Sequence, residues 1–236
     1  MQLFYSDHIT TETTAYTFTR EESKHIIKVL RKQQGDCIYI TNGNGYLFTS
    51  SILDENPNKC TVTIDSYEYH NPASHYLHMA VAPTKANDRF EWFLEKATEM
   101  GVSEITPILC DHSERKAIKW ERYNKIIQSA LKQSLQCHLP KLNQLTTYKE
   151  FMEKTSDIDG VKLIAHCDEG NKTPLKDTLV SNTKTTILIG PEGDFSKNEI
   201  ESARSQDFKE VTLSTTRLRT ETAALWACCN VSILHS

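Results

Sequence analysis

The sequence of 236 residues is short of several things, and each shortage excludes something. No apolar run approaches the ~20 residues of a bilayer-spanning helix, so no membrane partner is expected. No CxxC occurs among the seven cysteines, which removes the zinc ribbon and the thioredoxin-type redox site; no metal is expected. The cysteine count is odd. Cys37, Cys60, Cys110, Cys137 and Cys167 are scattered, and only Cys228 and Cys229 are adjacent, so reduced packed thiols without a structural disulfide are expected. An excess of basic charge is also missing: 27 Lys and Arg stand against 31 Asp and Glu. Any nucleic-acid binding would rest on a local patch rather than on bulk charge. The opening MQLFYSDHIT has no basic start, no long apolar core and no small-residue cleavage site, so no secretory signal is expected and a cytoplasmic location is. Gly and Pro are few, and no internal repeat or low-complexity tract is visible. One large globular domain or two modest ones remain.

What is present divides in two. The first seventy residues read as short strands. DCIYIT and YLFTSSIL flank Asn42–Gly45, an NGNG hairpin signal because Asn and Gly tolerate positive φ. Asn56–Lys59 is a second turn, followed by the β-rich CTVTIDSYEYH. One helical segment, TREESKHIIKVLR, interrupts them. Its Thr19 and Glu22 have capping-box spacing, and Ile26, Ile27 and Leu30 form an apolar face. Several strands with one helix predict a small barrel. His70–His75 reads as a linker. Beyond it, strand-like and helix-like segments alternate: YLHMAVAP, DRFEWFLEKATEMG with Gly101 as a C-terminal stop, SEITPILC, and KWERYNKIIQSALKQSLQC. VKLIAHC, TTILIG, SKNEIESARSQ capped by Ser196 and Glu199, KEVTLS and a closing helix TETAALWACCNVSILHS from Thr220 complete the run. That alternation predicts a parallel α/β sheet.

Three turns follow strands in this half: AHCDEG, GPEGDF and LSTTRLRTET. Open α/β sheets bind ligands beyond the carboxyl ends of their strands. GPEGDFS lacks the Lys of a phosphate-binding P-loop, and Gly190 and Gly193 cannot supply a dinucleotide fingerprint. Taken alone, the stretch is a tight strand-to-helix turn. Glu192 disfavours phosphate beside a helix start and suits a ligand with hydroxyls or a positive centre. Arg217 and Arg219 come just before a helix N-terminus, where their charges and the helix dipole would together hold an anion. The plain alternative for both is solvated loop charge.

LIGPEGDFS…EI followed by RLRTETAAL resembles the RsmE family of 16S rRNA uridine-N3 methyltransferases, of the knotted SPOUT class. HIIKVLR, DRFEWFLEKATEMGV, SER at Ser113–Arg115 and ALKQS…P extend the resemblance along nearly the whole chain. Two departures stand out: Asp194 and Ser214 occupy positions where the family pattern has Gly. The resemblance implies a PUA-like RNA-binding β-barrel over residues 1–71 and an α/β SPOUT domain with a C-terminal trefoil knot over 75–236. It implies S-adenosylmethionine as cofactor, the 16S rRNA of the small ribosomal subunit as partner, and a homodimer. The implied cofactor contacts are His166, Ile189, Gly190, Pro191, Glu192, Gly193, Leu213, Ser214, Leu218 and Thr220, with Ile189, Leu213 and Leu218 against the adenine. Arg217 and Arg219 would stabilise a uridinate as N3 loses its proton, and Glu221 is either the base or a carboxylate favouring the helix dipole. Lys24, His25, Lys28, Arg31, Lys85, Arg89 and Arg115 are the candidate RNA contacts. Other readings are a non-catalytic rRNA-binding or assembly protein and a SPOUT enzyme of another RNA position.

Overall fold

A computed structural model describes residues 2–155 and 159–234, so His235 and Ser236 of the closing segment lie outside the described residues. The chain divides into two units. The first comprises residues 1–72 together with 131–139, and the second residues 73–130 and 140–236.

The first unit is a curled five-stranded sheet, a half-barrel. Its strands are β1 (Leu3–Tyr5), β2 (Ala15–Thr17), β3 (Cys37–Thr41), β4 (Tyr46–Asp54) and β5 (Thr61–Tyr69), in the order β1-β3-β4-β5-β2. β3 and β4 form the antiparallel hairpin that NGNG predicts. Gly45 needs its missing side chain: φ is +90°, and a Cβ would fall 2.6 Å from the Tyr69 ring. Phe4, Phe18, Ile26, Ile40, Phe48 and Val62 fill the core. β5 carries a bulge that alternation does not reveal. Thr49 pairs with Ser66 but Ser50 with Ile64, leaving Asp65 extra. The extra residue swaps the faces, so Tyr67 and Tyr69 join the face of Val62 and Ile64 and pack on Tyr46. The single helical segment is split. α1 (Arg20–Lys24) is capped by the Thr19 hydroxyl, which accepts from the Glu22 N–H; a π-helical turn, His25–Val29, continues it.

The second unit is a parallel sheet of eight strands. Its strands are β6 (Tyr76–Val81), β7 (Glu104–Leu109), β8 (Lys141–Leu142), β9 (Thr146–Thr147), β10 (Val161–Ala165), β11 (Thr173–Pro174), β12 (Lys184–Ile189) and β13 (Lys209–Thr212). The order is β11-β13-β10-β12-β6-β7-β8, with β9 on β7, and every pairing is parallel. The longer connections are helical: α2 (Asn87–Glu99), α3 (Trp120–Gln133), α4 (Tyr148–Thr155), α5 (Lys197–Ser205) and α6 (Thr220–Leu234). Strands buried on both faces read as the near-continuous apolar runs seen in TTILIG and LIA. Ser196 and Glu199 form the reciprocal capping box that their spacing predicts. α4 and the two-residue strands carry too short a pattern to stand out in the sequence. Among the described residues, no helix is long and apolar enough to cross a membrane.

Glu104 opens β7 and anchors that edge of the sheet. Burial works against its charge, but the Tyr76 hydroxyl, the His78 ring, the Asn143 amide at 2.6 Å and Lys141 at 2.9 Å outweigh it. Together they hold the carboxyl at about 2, against an ordinary 4.5. A carboxyl depressed in the folded state stabilises the protein above its unfolded pKa, and that contribution disappears as pH falls through the folded value. The unfolding free energy of the wild type should therefore fall more steeply than that of Glu104→Gln between about pH 4.5 and about pH 2. Urea titrations at stepped pH measure the two slopes.

Candidate active site

β13, β10 and β12 are neighbours and run the same way, so the turns beyond them leave the sheet side by side. Together they line a cavity of about 570 Å³, in the size range of small-molecule pockets. One wall is Ala165–Cys167 and Lys172. A second is Ile189–Glu192 with Asp194, and the third runs from Val211 to Thr220.

The GPEG turn is shaped by the chain's own packing. A Cβ on Gly190 would meet the Phe195 ring at 3.0 Å, and one on Gly193 the Cβ of His112 at 3.0 Å. The His112 Nδ1 lies 3.0 Å from the carbonyl oxygens of both Gly193 and Asp194. The Asp194 N–H closes the turn onto the Pro191 carbonyl at 2.9 Å. Asp194 has φ +65°, the left-handed region that Gly enters freely and that Asp tolerates better than most residues. That accounts for a Gly in the family pattern and for its replacement here. Ser214 has no such φ; its hydroxyl accepts from the Thr216 N–H at 3.2 Å, a short turn any small polar residue supports. Glu192 is exposed, and its Oε1 accepts the backbone N–H of Lys85 at 2.9 Å. The carboxylate expected to face a ligand thus already serves the chain following β6.

Ile189 is buried, while Leu213 and Leu218 are half-buried and turned to the cavity. Thr220, expected as a helix cap, is the first residue of α6; its hydroxyl donates to the Gly190 carbonyl at 3.1 Å and joins two of the turns. His166 differs from expectation in its means of contact. Its side chain is wholly inaccessible, with Nε2 2.7 Å from Glu210 Oε2. Glu210 is itself gripped by Arg204, which holds its carboxyl below the ordinary range. His166 thus meets the cavity through its backbone, and Lys172 Nζ donates to its carbonyl at 2.7 Å.

Arg217 and Arg219 are exposed, and neither guanidinium has a hydrogen bond or ion pair among the described residues. They stand between this cavity and a more open one of about 750 Å³, whose far wall is Asp88, Arg89, Trp92 and Glu221. Glu221 is buried in the first turn of α6. One carboxylate oxygen lies 3.8 Å from Arg89 Nε, and the other has no partner.

The expected RNA contacts are not alike. Lys24, His25 and Lys28 are exposed along α1 and the π-turn of the first unit and Arg31 just beyond it, with the His25 ring against Phe4. Lys85 pairs with Glu114 at 2.6 Å. Arg115 spends its guanidinium on the carbonyls of Thr84 (2.8 Å) and Lys85 (2.7 Å), which makes it a fixture of that loop. Sequence reasoning did not find His112, Lys172 or Trp92. The first two act on backbone carbonyls, which leave no mark in side-chain spacing; Trp92 looked like one more aromatic of an amphipathic helix.

Comparison with known proteins bears on this geometry. Residues 71–232 match the model of an RNA methyltransferase domain, and residues 18–65 that of an RNA methyltransferase PUA domain. A ribosomal RNA small subunit methyltransferase E of Mesomycoplasma hyopneumoniae is 31% identical over 205 residues, covering 85% of this chain and 86% of that protein. The chain belongs to this methyltransferase family. A crystal structure of a probable rRNA methyltransferase from Porphyromonas gingivalis superimposes with a TM-score of 0.92 at 38% identity, covering 100% and 98% of the two chains. A putative methyltransferase of Legionella pneumophila, solved with bound SAM, gives 0.86 at 27%, covering 98% and 97%. In the family's α/β domain the turns must keep their spacing for a cavity to exist, and here Thr220 is one of the ties. Replacing Thr220 by Val leaves the buried Gly190 carbonyl without its hydroxyl partner, which should cost about 1–2 kcal/mol in chemical denaturation, whereas Thr220→Ser should cost less than half of that.

Proposed function

We propose that the protein transfers a methyl group from S-adenosylmethionine to N3 of a uridine in 16S rRNA of the small ribosomal subunit, in the cytoplasm. The observation that carries this is the pair of uncommitted guanidinium groups, Arg217 and Arg219, at the border between the cavity of the three turns and a second, more open one. The cavity of the three turns fits the cofactor. It offers apolar surface at Ile189, Leu213 and Leu218 and backbone groups from three turns. S-Adenosylmethionine, when bound, supplies the methyl group on a sulfonium sulfur. The chain's residues have the remaining task, because N3 of uracil carries a proton at neutral pH and is a poor nucleophile until it loses it. Arg217 and Arg219 present planar, permanently charged donors to the uracil oxygens, where negative charge grows as the proton leaves. The unpartnered oxygen of Glu221 supports a second role for that residue, as acceptor of the proton; its other oxygen holds Arg89 in the wall of the open cavity.

The RNA chain would meet Lys24, His25, Lys28 and Arg31 by their phosphates, with salt-sensitive and weakly sequence-specific affinity. Lys85 and Arg89 add charge near the active site, and Arg115 shapes the loop that carries Lys85. The PUA match supports RNA as the partner. Two copies of the chain would pair through α6, where Trp226 and Ile233, seven residues apart on one face, are 48% and 75% exposed. A trefoil knot in the second unit goes with this reading.

Incubation of unmodified small subunits and of naked rRNA with the protein and methyl-labelled S-adenosylmethionine, followed by nucleoside analysis, should yield 3-methyluridine; its absence from both would overturn the proposal. Arg217→Ala and Arg219→Ala should each lower kcat by about 100-fold while leaving cofactor affinity within about threefold. Collapse of cofactor affinity alone would remove the electrostatic role assigned to them. Trp226→Arg should convert the dimer to monomer in sedimentation velocity.

A further inference from the structure

We infer that Asp194 is the positioning residue of the cofactor pocket: its carboxylate ties the turn after β10 to the turn after β12 and fixes the distance between two of the cavity's walls. The inference rests on the function proposed above. Its ground is a side chain placed at a conformational cost and fully used by backbone donors. Asp194 has φ +65°, which strains a residue bearing a Cβ by about 1–2 kcal/mol. One carboxylate oxygen, Oδ2, accepts the N–H of Cys167 at 2.6 Å, across 27 residues of sequence. The other, Oδ1, accepts the N–H of Phe195 at 2.8 Å.

From that left-handed backbone the carboxylate reaches the Cys167 N–H in the turn after β10. Cys167 and Asp194 both line the cavity, and among the described residues theirs is the only side-chain hydrogen bond that joins these two turns. The preceding pairing, Ala165 with Ile189, belongs to the sheet, so beyond it this one bond sets how far the walls diverge. A charge-assisted bond of this length is among the stronger kinds. His112 holds the same turn from the other side, at the carbonyls of Gly193 and Asp194. With both oxygens engaged, Asp194 acts through the Cys167 turn and not by touching the cofactor. The Cys167 thiol records the same neighbourhood: burial first, and then the Asp194 carboxylate, push its pKa up.

The test separates the tie from the function. In Asp194→Gly the strain is relieved and the carboxylate is gone; in Asp194→Asn one side-chain oxygen remains to accept from Cys167. Hydrogen exchange of the Cys167 amide in cofactor-free protein should be about tenfold faster in the Gly variant, and the Asn variant should recover most of the protection, as loss and partial return of one charge-assisted hydrogen bond require. Calorimetry should show Kd for S-adenosylmethionine raised about tenfold in Asp194→Gly, with KM raised in step and kcat at saturating cofactor within about twofold of wild type. Unchanged Cys167 exchange in both variants would overturn the inference, as would a fall in kcat at unaltered Kd. If Asp194→Gly failed to fold, exchange and calorimetry on Asp194→Asn would decide, since a partial loss is expected there too. Wild-type protein that binds no S-adenosylmethionine would remove the functional reading, while the exchange result would still judge the tie.

Discussion

The structure of the second unit depends on one constraint: in a parallel sheet every strand ends on the same side. β13, β10 and β12 are adjacent, so three turns far apart in sequence must emerge together. The chain after β10 goes on to β11 and the chain after β12 to β13, both toward the same edge of the sheet, so their turns lie close together beyond the strand ends and line one crevice. The sheet determines where the crevice is but not its width, because sheet hydrogen bonding stops at Ala165, Ile189 and Thr212. Width comes from ties between turns: the Thr220 hydroxyl on the Gly190 carbonyl, the Asp194 carboxylate on the Cys167 amide, and Glu192 on the Lys85 amide. Each is a side chain answering a backbone group of another turn, the arrangement that irregular chain needs when strand pairing no longer satisfies its polar groups.

Much of this was legible in the sequence. TTILIG and VKLIAHC are short and apolar on both faces, the pattern of strands covered on two sides. Ser196 and Glu199 marked the start of α5, and NGNG marked a hairpin in the first unit. These signals are local: each depends on residues within four positions of one another. What stayed hidden is non-local or depends on backbone angle. The bulge at Asp65 moves Tyr67 and Tyr69 to the face of Tyr46, and one extra residue leaves no compositional trace. Residues 131–139, continuous in sequence with α3, cluster with the first unit, a choice made by contacts with Gly43 and Gly45 that spacing cannot show. Within the site, residue types were easier to foresee than partners. His166 lines the cavity, yet its ring is occupied by Glu210. Glu192 lies in the turn, yet its carboxylate answers the Lys85 amide.

The resemblance to a family named site residues that pattern alone does not, and its two mismatches are of different kinds. Ser214 occupies an ordinary backbone conformation and makes a local turn. Asp194 occupies a conformation that explains the Gly, and it brings two acceptor oxygens that Gly lacks. A substitution at a left-handed position carries a strain of about 1–2 kcal/mol, which a charge-assisted hydrogen bond of about the same worth can offset. The same φ that makes Asp costly here also aims its carboxylate at Cys167, so strain and tie have one origin.

For the proposed reaction, the arginines differ in what they are free to do. In the second unit Arg89 leans on Glu221, Arg115 serves two carbonyls, Arg122 is paired with Glu91, and Arg204 holds Glu210 and Glu201. Each of these has a structural reason to be where it is. Arg217 and Arg219 have none among the described residues, although Asp194 lines the first cavity with them and Glu221 the second. Both carboxylates are instead turned elsewhere, one toward Arg89 and the other to backbone amides. A guanidinium already neutralised by a carboxylate would have little left to stabilise an anion in a transition state, because the interaction would exist before the reaction and would have to be broken. Two unneutralised guanidiniums beside a helix N-terminus hold positive potential in reserve, and the place where that reserve meets both cavities is the place where a uracil oxygen would gain most from it.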